Sequence, residues 1–167
     1  MAGILMENSL LKQAEAQIER QLKPEVRQNY MKIVVAGMKL AMNKGGDGLL
    51  ASLKDSEDPV SDIVQGAIGI VGLLRKESKG VMPVNAMVPA AFALVLQGLD
   101  LADKMGVLEV TKPVLDEATR DFGEGITKAL GLTPEKMKSM ATQVQGVMAD
   151  PAKMKQLEQA GAQNGIA

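Results

Sequence analysis

The chain of 167 residues carries 19 basic and 20 acidic residues, and 46% of its residues are apolar, which is enough for a hydrophobic core. Cysteine and histidine are both absent, which excludes disulfides, thiolate metal sites and cysteine nucleophiles and removes the commonest general base. Because the two signs of charge are balanced along the whole chain, we expect no sequence-specific nucleic-acid surface.

The apolar residues are of an unusual kind, since aromatics make up only 2% of the chain while methionine occurs 12 times. A core of Ala, Val, Leu and Met suits closely packed helices, whereas strands favour β-branched and aromatic residues. No stretch alternates with the period of two that a half-buried strand requires. The sequence therefore predicts an all-α fold of six to seven helices, with the short one at 47–54 not counted. It would form a compact or elongated assembly subunit with a central apolar helical hairpin.

Amphipathic helices are predicted in the N-terminal part, residues 1–58. A first helix over 5–22 carries apolar residues at helical spacing, namely Leu11, Ala14, Ile18 and Leu22. Pro24 opens a second helix that runs to about Lys44, and a short helix is expected at 47–54. The second helix has an apolar stripe on one side, made of Val26, Tyr30, Ile33, Gly37, Leu40 and Ala41. Its lysines at 32 and 39 lie on the far side, where they could touch a phosphate or an anionic membrane, although such lysines more often only solvate the outer face of a helix.

The central part, residues 59–105, is predicted to be the apolar hairpin, with helices over 59–77 and 84–104. Asp58 followed by Pro59 is a helix start, because the carboxylate accepts a free N–H and proline has none to satisfy. Two uncharged runs, Ile63–Leu74 and Val81–Leu99, are separated by a charged link.

The C-terminal part, residues 106–160, is predicted to hold helices over 112–130, 134–149 and 151–160, followed by a loose tail over 161–167. Thr133-Pro134 and Asp150-Pro151 repeat the cap-and-proline signal, and Thr111 with Pro113 is a looser version. Two apolar stripes recur at spacings of three and four: Leu115, Ala118, Phe122, Ile126 and Ala129, then Met137, Met140, Val144 and Val147. The three parts can also form one continuous domain.

The central hairpin supplies the candidate functional residues. Gly66, Gly69 and Gly72 lie on one side of a helix, where small residues let another backbone approach closely. Pro83, Pro89 and Phe92 of the second run are the further candidates for helix packing or membrane contact. Val81–Leu99 holds 19 residues without charge, close to the roughly 20 that a membrane span needs.

A buried hairpin in a soluble assembly is the favoured interpretation of the same runs. Ile63–Leu74 has only 12 residues, which is short for a membrane span. Polar residues and prolines interrupt the second run, so its effective helix is expected to start near Pro89. The mean hydropathy of +0.03 is low for a permanent membrane protein.

No catalytic centre is predicted, so we expect neither an enzyme nor a bound metal or cofactor. The carboxylates Asp116, Glu117, Asp121 and Glu124 cluster on one helix, but such metal sites usually recruit histidine as well. Pairing of Asp116 with Arg120 and of Glu124 with Lys128 favours a solvated helix face. No Gly-Lys-Ser/Thr phosphate loop occurs.

In style the chain resembles the small internal virion proteins, or ejection proteins, of short-tailed phages. The resemblance is carried by MENSLLKQAEAQIERQL at 6–22, the Gly/Ala/Val hairpin at 63–99 and AGAQNGIA at 160–167. It implies a structural or ejection protein that resides in the virion, and in the host cytoplasm during assembly. Its partners would be copies of itself, other virion proteins and a host membrane crossed by a genome-delivery conduit.

Two alternatives remain open at this point. The first is a purely structural assembly subunit, such as a head, neck or tail component or a scaffold, with the hairpin buried at subunit contacts. The second is a small helical binding or regulatory module that uses a methionine-rich surface as a partner groove.

Overall fold

The computed structural model describes residues 6–43, 52–131 and 135, and these residues form an all-α fold without a β-strand. This confirms the predicted fold class. The five long helices in these ranges are α1 (Ser9–Gln21), α2 (Pro24–Asn43), α3 (Pro59–Glu77), α4 (Val84–Lys104) and α5 (Lys112–Leu130). A single helical turn at 52–54 precedes α3. Apart from Glu135, the helices predicted at 134–149 and 151–160 lie outside the described residues, as does the tail.

The ends of α3 and α5 follow from local side-chain and backbone chemistry. The Asp58 carboxylate accepts the Ser61 N–H at 3.1 Å, with Pro59 at the first helical position. After α3, Gly80 adopts φ +77° and donates its N–H to the Arg75 carbonyl at 3.0 Å, which closes the helix. Gly131 ends α5 at φ +59°. Thr111 precedes α5, but its side chain makes no capping hydrogen bond.

Helix α4 lies at the centre of the fold and packs against each of the other four helices. All side chains from Ala90 to Gln97 are buried, and most others in this helix are buried as well. The alanines of α4 explain why four helices fit around it. Their side chains are short, so the axes of neighbouring helices can approach α4 closely. Burial of a continuous apolar surface on all sides supplies the main stabilisation of the fold.

Proline 89 lies inside α4, which already begins at Val84. The expectation that the effective helix starts near Pro89 is therefore wrong. An interior proline removes one backbone hydrogen bond and crowds the preceding turn, at a cost of about 3 kcal/mol. Burial of Ala86, Met87 and Val88 in the preceding turns offsets this cost, because each is at most 3% exposed.

Candidate functional site

The glycines predicted as packing residues lie on the side of α3 that faces away from the core. Apart from the adjoining residues and backbone of α3 itself, no described atom lies within 4 Å of the position that a Cβ at Gly66, Gly69 or Gly72 would occupy. Leu73 lies beside them and is 41% exposed. This outward face of α3, which we define by Gly66, Gly69, Gly72 and Leu73, is not covered by any other helix in the described residues.

The other three candidates do not share this face. Pro83 is exposed just before α4, and its carbonyl accepts the N–H groups of Ala86 and Met87 at 3.1 Å each. Pro89 is half-buried within α4. Phe92 is fully buried, with its ring centroid 5.1 Å from that of Phe122. The six predicted residues therefore do not form one site: three glycines share the outward face of α3, Pro83 is exposed before α4, Pro89 is half-buried and Phe92 belongs to the core.

A different set of glycines allows the helices of this chain to pack closely. A Cβ at Gly98 would lie 2.6 Å from Cγ2 of Ile63, so α3 and α4 touch at this point. Gly37 and Gly125 are equally tight, at 2.6 Å from side-chain atoms of α4 and α3 respectively. Gly37 was part of the predicted apolar stripe of α2, whereas Gly98 and Gly125 were missed. Each of the two missed glycines lies three or four residues from an apolar residue of its own helix that is buried. That spacing could have indicated that these glycines face the core.

One helix among the described residues, Val84–Lys104, is long and apolar enough to cross a membrane, by length and composition alone. Within the fold, 72% of its apolar window is buried. A buried core helix meets the same criteria, so this observation by itself does not indicate a span. The bundle would have to open before α4 could meet lipid.

A buried polar contact between α1 and α4 was not predicted from the sequence. Glu15 is only 4% exposed and accepts a hydrogen bond from the Gln97 amide at 3.1 Å. Burial raises the pKa of Glu15, and the hydrogen bond from Gln97 opposes this rise without cancelling it. The neighbouring Tyr30 is fully buried, and its hydroxyl has no hydrogen-bond partner among the described residues.

Asp100 and Asn8 fix the start of α1 to the end of α4. One Asp100 oxygen accepts the N–H groups of Glu7 and Asn8, at 3.0 and 3.3 Å. The other oxygen lies 2.9 Å from the Lys104 ammonium. The Asn8 side chain caps α1 through Leu10 and Leu11, and its amide donates to Asp103 and to the Val110 carbonyl. These hydrogen bonds attach the start of α1 to the end of α4. Their role is structural, since the groups involved are a helix cap and a carboxylate that accepts backbone N–H groups.

The acidic residues of α5 behave as a solvated face. Asp116 faces Lys112 at 3.7 Å instead of the expected Arg120, which lies 3.7 Å from Asp121. Asp121 and Glu124 line an open groove of about 580 Å³ between α3 and α5. In the part of the chain that the structure describes, no three carboxylates come close enough to hold a metal ion.

No protein-family model matches this chain, and neither a curated protein nor a solved structure was found that resembles it. Function therefore has to be argued from the surfaces of the molecule. Within the described residues, the outward face of α3 is the surface that carries three of the residues predicted from the sequence and that no other helix covers.

Proposed function

We propose that this protein is a non-enzymatic structural subunit that forms a symmetric oligomer through the outward face of α3. The observation that supports this is that Gly66, Gly69 and Gly72 all face space that no other described part of the chain fills. Glycine in a helix interior costs about 0.5–1 kcal/mol relative to alanine. Three such residues on one open face are explained if a second helix approaches them closely.

The charges on α3 favour pairing with a second copy in antiparallel orientation. Asp62 and Lys76 lie seven residues before and after Gly69 and are exposed on the same side of the helix. A two-fold axis at Gly69 would set Asp62 of each copy opposite Lys76 of the other. The same axis places Leu73 opposite Gln65 and Gly72 opposite Gly66. Opposite charges therefore meet at both ends of the contact, and small residues meet at its centre.

Charge reversal tests this orientation directly. Asp62→Lys or Lys76→Glu alone should weaken the dimer about ten-fold or more, because exposed pairs contribute up to ~1 kcal/mol each and two pairs are lost. The double variant should restore dimerisation, since each reversed residue again meets its opposite. Analytical ultracentrifugation measures the dissociation constant in each case. Failure of the double variant to recover would contradict the antiparallel pairing.

Substitution of the central glycine tests the close approach of the helices. Gly69→Leu should abolish association, because its side chain occupies the space that the second backbone needs. Gly69→Ala adds only one methyl group at the same position and should weaken the association measurably, but less than Gly69→Leu does. An oligomer unaffected by Gly69→Leu would rule out this face.

The setting that we propose is a phage particle, either as an internal ejection protein or as a head, neck or tail component. What supports this setting is the resemblance in sequence style to ejection proteins. Copies of the chain and other virion proteins would then be the partners, with residence in the virion and in the host cytoplasm during assembly.

A second candidate function is contribution to a genome-delivery conduit across the host envelope. What supports it is the resemblance in sequence style to ejection proteins; the length and apolarity of α4 would allow a span but fit a core helix equally well. Liposome co-sedimentation and dye release with the full chain test it across lipid compositions and pH values. Absence of binding under every condition would remove the membrane role and leave the structural one.

A further inference from the structure

The turn between α3 and α4 presents basic and apolar side chains together to solvent. From residue 75 to residue 79 the chain carries one acidic residue and three basic ones, namely Arg75, Lys76 and Lys79. The two lysines are exposed and Arg75 is half-buried. Lys79 and Gly80 both adopt left-handed backbone conformations, with φ of +55° and +77°. Val81 follows them directly and, at 82%, is the most exposed large apolar side chain among the described residues.

Helix α2 runs towards the same end of the helix bundle. Tyr30, in the first half of α2, lies close to Glu15, whose carboxylate binds Gln97 of α4. Two turns later, a Cβ at Gly37 would lie 2.6 Å from a methyl carbon of Leu94. As α2 proceeds, its contacts on α4 therefore move towards the start of α4, so the two helices are antiparallel.

The last turn of α2 adds a second exposed apolar side chain at this end. Met42 lies beyond Gly37 in the direction of the start of α4, and it is 67% exposed. Only Val81 is more exposed among the large apolar side chains that the structure describes. We call this surface the hairpin end and define it by five residues: Met42, Arg75, Lys76, Lys79 and Val81.

The opposite end of the bundle is acidic. Ile63 near the start of α3 packs on Gly98 near the end of α4, so these two helix termini lie together. The segments 52–62 and 100–104 hold two lysines and six acidic residues, which are Asp55, Glu57, Asp58, Asp62, Asp100 and Asp103. The net charge of −1 therefore conceals a separation of charge along α4. A negatively charged surface attracts the hairpin end and repels the other.

We propose that the hairpin end docks the intact fold on an anionic lipid bilayer. Its cations lie among the headgroups, and Val81 and Met42 reach the boundary between headgroups and acyl chains. Helix α4 stays enclosed, so this contact requires neither a spanning α4 nor the pairing through α3. The acidic end of another copy fits less well, because the only exposed large apolar side chain described there is Leu101, at 42%.

Flotation of the full-length chain with vesicles measures this binding. The chain should bind phosphatidylcholine vesicles that contain about 30% phosphatidylserine, but not pure phosphatidylcholine, and about 1 M salt should release it. Arg75→Gln with Lys79→Gln should weaken binding about twenty-fold or more, because each cation near an anionic surface contributes about five-fold. Lys76 stays unchanged, which preserves the proposed pairing through α3. The matched control, Lys12→Gln with Lys54→Gln, removes equal charge near the acidic end and should bind nearly as well as the natural chain.

A single tryptophan shows which end of the molecule meets the lipid. The natural chain has no tryptophan, so Val81→Trp and Leu101→Trp each introduce one fluorophore, at opposite ends of the bundle. Anionic vesicles should shift the emission of Val81→Trp to shorter wavelength and protect it from quenching by acrylamide. The emission of Leu101→Trp should stay unchanged, because that end faces away from the lipid.

Three results would overturn the proposal. The first is full binding by Arg75→Gln with Lys79→Gln, and the second is a shift that is equal in the two tryptophan variants or absent from both. The third is a shift in Val81→Trp that needs no vesicle and grows with protein concentration, because a second copy would then be the occupant. Pairing through α3 is measured without lipid, so either proposal can fail while the other stands.

Discussion

The effect of replacing a glycine in this molecule depends on whether a neighbouring helix occupies the place that a Cβ would take. Gly98 and Gly69 are both interior residues of helices, yet a Cβ on the first meets Ile63 at 2.6 Å and a Cβ on the second meets no described atom. Gly98→Ala should therefore destabilise the fold by about 1–3 kcal/mol through overpacking. Gly69→Ala should stabilise the monomer by about 0.5–1 kcal/mol through helix propensity.

Urea unfolding of the two alanine variants side by side measures this contrast. The difference in unfolding free energy between them removes the effects that any glycine substitution has on the unfolded chain. A Gly98→Ala variant that is not destabilised would contradict the close contact between α3 and α4, and a destabilised Gly69→Ala variant would contradict the open position of Gly69.

Glu15 gives the fold a pH dependence whose sign follows from its burial. Its folded-state pKa is raised above the ordinary 4.5, chiefly because burial disfavours the charged form. The stabilisation by protonated Glu15 is therefore complete below pH 4.5 and is lost as the pH rises through the folded-state pKa. Glu15→Gln should make the protein more stable at pH 7 and remove this part of the pH dependence.

The measurement is the thermal midpoint of wild type and Glu15→Gln between pH 4 and 8, followed by circular dichroism. Glu25→Gln on the exposed start of α2 is the matched control for loss of one negative charge, and it should leave the pH profile in place. A variant that is less stable than wild type at pH 7 would show that Glu15 stabilises the fold as a carboxylate.

At the scale of helices, the sequence is most informative where structure is determined locally. Asp58 with Pro59 acts within one turn, and the start of α3 was predicted from this pair; the glycines at 80 and 131 act equally locally, at the ends of α3 and α5. Pro89 shows the limit of such rules, because the burial of its neighbours outweighs a local penalty.

The orientation of each helix could be predicted only where apolar residues occupy one side. In α2 and α5 the inner stripe was read from its spacing, although Ala129 at the end of α5 proved exposed. In α3 the run Ile63–Leu74 is apolar on all sides, so the sequence placed the three glycines together without showing which way they face. Glu15 and Gln97 were missed because polar side chains are usually exposed, and pairing across the fold is not visible in a sequence.

The attachment of α1 to α4 is a contact between elements that depends on Asp100. Asp100→Ala leaves the N–H groups of Glu7 and Asn8 without their acceptor and should destabilise α1 by about 1–3 kcal/mol. Amide hydrogen exchange should accelerate in α1 while α3 and α5 change little. Asp116→Ala, on an exposed position of α5, is the control; uniform acceleration in all helices would contradict a local attachment.

The whole molecule combines a central apolar helix with outer surfaces that remain available for association. α4 is enclosed by four helices, so its long uncharged run is accounted for as a core in the described fold. Association of copies then rests on outward faces, and membrane entry would require α4 to leave its neighbours. The two functions therefore predict different behaviour of the intact chain in detergent.

The native mass of the full-length chain, measured with and without mild detergent, tests the central claim most directly. We expect a particle of twice the 17.7 kDa of one chain, or a closed multiple of that pair, whose protein mass is unchanged by detergent. Gly69→Leu should reduce it to a single chain with an unchanged helical spectrum. A wild-type chain that is monomeric at about 100 µM, roughly a hundred times the Kd of a typical micromolar contact, would contradict it. So would association that occurs only in the presence of detergent or lipid.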